Sequence, residues 1–165
     1  MELLISTPVT PLELMAGKLV PYFAIGLLDA VFCVALAVGW FGVPFRGQLL
    51  TLLVTTLLFL MVVLGIGYAI SASIRSQIGA SQVALLLTML PTAMLSGFTF
   101  PIDQMPGVIQ AITYAVYGRY YVTILKAIFL KGSELAQLAF PIAALLVYAL
   151  AVVYLATRVF RKSIE

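Results

Sequence analysis

The sequence predicts an all-α membrane protein, a helical bundle with four transmembrane helices, and three observations predict it. Hydrophobic residues make up 64% of the 165 and charged residues only 9%, where a soluble domain is about half apolar and roughly a quarter charged. Mean hydropathy is +1.18. The few charges are spaced to leave four long runs that are uncharged or nearly so. A soluble fold of this size could not clothe its surface with so few charges, so the bilayer is its solvent.

The elements follow in order as one membrane domain, 1–165. Ser6, Thr7, Pro8, Val9, Thr10, Pro11, Leu12 and Glu13 open the chain as a helix start. Thr10 suits the cap, Pro11 the first helical position, and Glu13 completes a capping box. This predicts a short amphipathic helix ending near Gly17-Lys18, beside the membrane. The first span, about 19–41, is apolar apart from Asp29. The second, about 49–73, lies among 28 uncharged residues between Arg46 and Arg75, and the third, about 78–100, among 27 between Arg75 and Asp103. The last, about 136–157, occupies the uncharged run Leu135 to Thr157. Each exceeds or approaches the roughly 20 apolar residues a spanning helix needs. Pro21 and Pro141 read as helix starts, and Pro91 as a kink.

Four spans place both termini on one side. With that side cytoplasmic, Lys18, Arg75, Arg158, Arg161 and Lys162 lie inside, and Arg46, Arg119, Lys126 and Lys131 outside. The dense tail 158–165 and the tight turn at Arg75 favour this orientation. Residues 101–134 are apolar but too punctuated for a fifth span. Val108, Ile109, Ile112 and Val116 give one helical run that Gly118 ends. Tyr121, Ile124, Leu125, Ile128 and Phe129 give a second, with Arg119 and Lys126 on its other face. Two short helices on the outer face fit, either re-entrant or lying on the surface with cations snorkelling to lipid. Tyr114, Tyr117, Tyr120 and Tyr121 read as an interfacial aromatic belt. Gly65, Gly67, Ala69 and Ser73 mark faces for close helix approach, as do Ala80 and Ala84.

Several chemistries are excluded. There is no histidine and a single cysteine, Cys33, hence no imidazole base, no histidine triad and no zinc cluster. The six acids are scattered from Glu2 to Glu165, which argues against a carboxylate metal site. Ser96-Gly97 superficially suggests a membrane serine nucleophile, but nothing positions Lys126 or Lys131 as its base. No P-loop and no G-x-G-x-x-G occurs, so the chain reads as a non-enzyme. A net charge of +3 fits basic membrane anchors and lipid contact rather than nucleic acid. Asp29 is the one formal charge within a span, a costly placement. It reads either as a hydrated structural carboxylate or as a group that relays protons or meets a cation.

Three stretches together resemble the membrane permease subunit of bacterial ABC exporters of the type-2 family, which includes drug and polymer exporters. The first runs from Glu2 through Thr7, Pro8, Thr10, Pro11, Leu12 and Glu13 to Gly17-Lys18 and Pro21-Tyr22. The second runs from Leu90-Pro91 through Ser96, Gly97, Phe98, Phe100 and Pro101 to Met105-Pro106. The third is Tyr120-Tyr121 through Lys126 and Ile128 to Lys131-Gly132. The resemblance implies that Glu2, Thr7, Pro8, Thr10, Pro11, Leu12, Glu13 and Lys18 form a cytoplasmic coupling helix docked on an ATP-binding subunit. It implies that Ser96, Gly97, Phe98, Pro101, Met105 and Pro106 belong to an outer gate. ATP and magnesium would then sit on the partner chain, with no cofactor on this one. A second permease copy or homologue, and a periplasmic membrane fusion protein, are further implied partners. The implied location is the bacterial inner membrane. Since the family has six spans and this chain starts at the coupling segment, the resemblance implies the C-terminal portion of a longer permease. Two other readings remain open: a proton- or ion-coupled secondary transporter using Asp29, and a non-transporting membrane assembly subunit.

Overall fold

The computed structural model describes residues 11–74, 76–132 and 135–164. Among them the order is α1 (Pro11–Gly39), α2 (Leu49–Ser73), α3 (Gln77–Ala84), a π-helical turn (Leu85–Met89), α4 (Leu90–Leu95), a 3₁₀ turn (Ile102–Gln104), α5 (Gly107–Thr113), α6 (Tyr117–Lys126), a second π turn (Ala127–Lys131) and α7 (Leu135–Ile164). Among the described residues four stretches are long and apolar enough to cross a membrane: Leu19–Gly39, Leu49–Ser73, Gln77–Leu95 and Leu138–Ala156. They match the four spans expected from the sequence.

The boundaries differ in ways that backbone hydrogen bonding explains. No break separates residues 11–18 from the first span, because α1 runs unbroken through Gly17-Lys18 with Pro21 inside it. Ending one helix and starting another there would orphan about four carbonyls and four N–H groups, whereas passing through Pro21 forfeits one donor. Pro141 likewise lies inside α7, which continues helically past residue 157 to Ile164. The third span stops at Leu95 rather than near residue 100. Gly97 takes φ +81° there, and Phe98 N–H donates to Ser96 Oγ at 3.3 Å. Pro91 follows a π turn in which Leu90 N–H reaches Leu85 O. Widening the helix in this way makes room for the proline ring next to the preceding carbonyls.

Helices α2 and α7 form the central pair. They meet where Gly65 presents bare backbone to the Val152 side chain, which permits close approach without a hydrophobic drive between membrane helices. Gly67, expected to do the same, faces open space. α1 leans on α2 at Gly26, whose added Cβ would stand 2.7 Å from Leu60 Cδ2.

The segment between the third and fourth spans folds back into this bundle. Tyr117, at the start of α6, is buried in one cluster with Val62 of α2 and with Ala149 and Val152 of α7. Val62 lies thirteen residues past the start of α2, and Ala149 fourteen past the start of α7. At 1.5 Å per residue both are about 20 Å down their helices. From there α6 and the second π turn climb back along α2, through Tyr121 stacked on Phe59 at 4.1 Å, to Ile128 packed against Gly47. Two helices lying on the surface would touch only the ends of α2 and α7, whereas this pair reaches their middles. Ile124 and Ile128 of the hairpin are among the most deeply buried side chains of the described core, together with Leu145.

Candidate functional site

The hairpin and the end of α4 beside it hold most of the side-chain polar bonds that join separate elements. Its first arm, α5, starts after Pro106, whose carbonyl accepts from Gln110 N–H at 3.0 Å. The Gln110 amide donates to Met105 O at 2.9 Å. The last turn of α5 tightens, with Tyr114, Ala115 and Val116 N–H groups reaching back three residues. Val116 is then extended, and α6 begins. The expected helical run through Val116 to Gly118 is therefore broken at 114–116. Gly118 is instead an inner residue of α6, where a Cβ would meet Thr92 Cγ2 at 2.6 Å.

Two cations hold this arrangement through bonds to neighbouring segments. Arg119 folds over α5, donating to Thr113 Oγ1 and to Gln110 O at 3.4 Å. Its guanidinium carbon sits 3.8 Å above the Tyr114 ring centre, a cation–π contact that adds attraction where water is scarce. Lys126 Nζ donates to Gly97 O at 2.6 Å, tying α6 to the turn just after the third span. Its charge explains why so short a bond forms to a neutral carbonyl.

The four tyrosines expected as an interfacial belt divide: Tyr114 is exposed and Tyr121 half-buried, while two are core residues. Tyr117 and Tyr120 are 8% exposed and belong to the core. Tyr120 and Tyr148 hydroxyls both donate to Tyr114 O, at 2.8 Å and 3.3 Å. Tyr121 OH and Thr56 Oγ1 share a hydrogen bond at 3.0 Å. Buried phenols need such partners, and together these bonds fasten the hairpin to α2 and α7. Sequence reasoning missed the Tyr114 carbonyl as a shared acceptor, for nothing in residue type marks it.

Of the residues expected at an outer gate, Ser96 and Gly97 are buried under the hairpin while Phe98 and Pro101 are exposed. Gly97 also packs on Ile102, where a Cβ would stand 3.0 Å from Cδ1. Met105 and Pro106 supply the carbonyls that start α5. The structure thus joins Ser96, Gly97, Met105 and Pro106 to the hairpin, and leaves Phe98 and Pro101 on its rim. Asp29 lies at mid-span on the exposed side of α1. Glu2, Thr7, Pro8 and Thr10 lie outside the described residues. Pro11, Leu12, Glu13 and Lys18 belong to the first two turns of α1, their side chains outside the description. Among the described residues no three His, Cys, Asp or Glu side chains group as a metal would need.

Residues 1–158 match the family model described as ABC-2 family transporter protein. Among curated relatives, the probable multidrug ABC transporter permease YbhS of Escherichia coli K12 is 47% identical over 133 residues, 81% of this chain and 35% of the relative. The inner membrane transport permease YhhJ of the same strain is 30% identical over 138 residues, 80% of this chain and 35% of the relative. The linearmycin resistance permease protein LnrN of Bacillus subtilis is 29% identical over 137 residues, 82% of this chain and 34% of the relative. The chain thus spans about a third of the length of the curated relatives it matches. No solved structure matches significantly.

Proposed function

This chain belongs to the ABC-2 transporter family, and from that premise we propose that it is membrane-spanning permease machinery of an ATP-driven exporter in the bacterial inner membrane. The family match through residue 158 carries this reading, and the structure gives it a mechanical form. An ATP-binding partner subunit would hold ATP and magnesium and supply the driving reaction. This chain's part is to receive and pass on the resulting motion. A second permease copy, or a homologue, would complete the path.

The coupling segment, on this reading, is the foot of α1 on the cytoplasmic side, with both termini of this chain there and the hairpin on the outer side. A continuous helix can pass motion along its length, and α1 runs from Pro11 to Gly39 with Pro21 inside it. Displacing its foot moves α2 through the Gly26–Leu60 contact. The hairpin follows α2 through Tyr121, which is stacked on Phe59 and bonded to Thr56. Opening toward the outer side then requires Lys126 to leave Gly97 O. A periplasmic fusion protein would meet the hairpin side. The relatives' printed names, multidrug and linearmycin resistance, support drug compounds as cargo.

A photo-crosslinkable residue at Leu12, illuminated in native membranes, tests the assignment. The expected product is an adduct with a chain bearing nucleotide-binding motifs. Crosslinking confined to lipid, or to a protein without such motifs, would sink it.

A further inference from the structure

Between α2, the π turn with α4, and α6 lies a half-open cleft of about 340 Å³. Phe59, Val63, Met89, Tyr117 and Val122 give it apolar walls. That volume is at the lower end of the roughly 300–1,000 Å³ of small-molecule sites, which are mostly apolar with a few placed polar groups. Three serine and threonine hydroxyls border it beside the Tyr117 phenol, and their partners differ. Thr88 Oγ1 donates to Ala84 O at 2.6 Å. Ser96 Oγ accepts from Phe98 N–H. Thr92 Oγ1 is buried and makes no hydrogen bond.

The orphan is unusual for its setting. Thr55, Ser73, Ser81, Thr88 and Thr123 each donate to the carbonyl four residues back, the normal resort of a helical hydroxyl in an apolar medium. Thr92 follows the π turn, which shifts the backbone register, and its side chain is pressed against the bare backbone of Gly118. A buried hydroxyl without a partner is unfavourable by comparison with one that donates. The cleft beside it is the space from which a partner can come. π turns are moreover frequent at functional sites.

We propose that this cleft binds an uncharged apolar molecule carrying a hydrogen-bond acceptor, which takes the proton of the Thr92 hydroxyl. The site lies within one chain rather than between permease copies, and it stands whether or not the chain exports anything. An acyl ester from the bilayer and an apolar ring solute share this chemistry.

The test is photolabelling of the full-length permease in membranes with benzophenone, an uncharged ketone. Saturable labelling is expected on peptides containing Phe59–Val63, Met89–Ala93 and Tyr117–Val122. Thr92→Val should weaken it about two- to tenfold, the worth of one hydrogen bond. Thr92→Ser keeps the hydroxyl and should restore it, and Val122→Phe, which narrows the cleft, should reduce it. Competition by methyl laurate identifies a bilayer chain as the occupant, and competition by 1-acetonaphthone a ring solute. Displacement by neither overturns the proposal. So does labelling that never saturates, spreads over the exposed side of α1 and is equal in wild type and Thr92→Val.

Discussion

The α2–α7 contact at Gly65 and Val152 can be taken apart and reassembled. A methyl at Gly65 would collide with Val152 Cγ1, and Val152 is 7% exposed, so it has little room to yield. Overpacking of this kind costs about 1–3 kcal/mol, offset by about 0.5–1 kcal/mol because alanine holds a helix better than glycine. Gly65→Ala is thus expected to destabilise by about 1 kcal/mol. Val152→Ala alone empties packed space and should cost about 1 kcal/mol as well. If the sites were independent, the pair would lose about 2 kcal/mol. The structure predicts instead that the new alanine methyl occupies the space vacated by valine, leaving the double variant within a few tenths of wild type. The assay is SDS-driven unfolding of the full-length permease in mixed micelles, followed by circular dichroism, for all four members of the cycle. Additive losses would refute the close contact of these two helices.

Four further outcomes are expected. Lys126→Met removes the bond to Gly97 O and should loosen the hairpin, so a cysteine placed at Thr99 in a Cys33→Ser background reacts severalfold faster with a maleimide. Arg119→Lys keeps the charge but loses the planar fork. It should lower the midpoint of thermal unfolding, and Arg119→Ala should lower it further, whereas equal midpoints would show that the guanidinium contacts do no structural work. Leu12→Ala and Glu13→Ala should leave membrane insertion intact while abolishing the permease's stimulation of its partner's ATPase; unchanged stimulation in both counts against the coupling assignment. Asp29→Asn should leave ATP-driven drug efflux from cells unaltered, and a loss of efflux tied to the proton gradient would favour the ion-coupled reading.

The four spans were legible because hydropathy over twenty residues is a summed signal that no single contact overturns. What the sequence hides is which neighbour a residue meets. The same phenol serves an interfacial belt or a core, so Tyr117 and Tyr120 were misjudged until Val62, Leu145 and Ala149 stood around them. Gly118 looked like a stop because glycine ends helices as readily as it admits a neighbour; only the nearness of Thr92 decides between them. Pro21 and Pro141 resemble helix starts in sequence, yet both sit inside continuous helices, since apolar surroundings penalise a break more than one lost donor. The π turns leave no residue signature at all. The expected coupling residues from Glu2 to Thr10 fall outside the described part of the chain.

On the proposed coupling reading, the unbroken helix of α1 joins two ends of nearly equal reach. Its contact with α2 at Gly26 lies fifteen residues from Pro11 and thirteen from Gly39, arms of about 22 and 20 Å. Val34 of α1 also packs on the cluster around Leu52 of α2, so the two helices meet along a seam rather than at a single pivot. A displacement at the foot is then passed to α2 and to the far end of α1 together. That end is tethered within a few residues to the hairpin's exit, where Phe45 meets Phe129 at 5.5 Å and Arg46 packs beside Gly132. On the proposed coupling reading the stroke reaches the hairpin by two routes, through α2 and through this tether, and a substitution in either would weaken it without touching the foot.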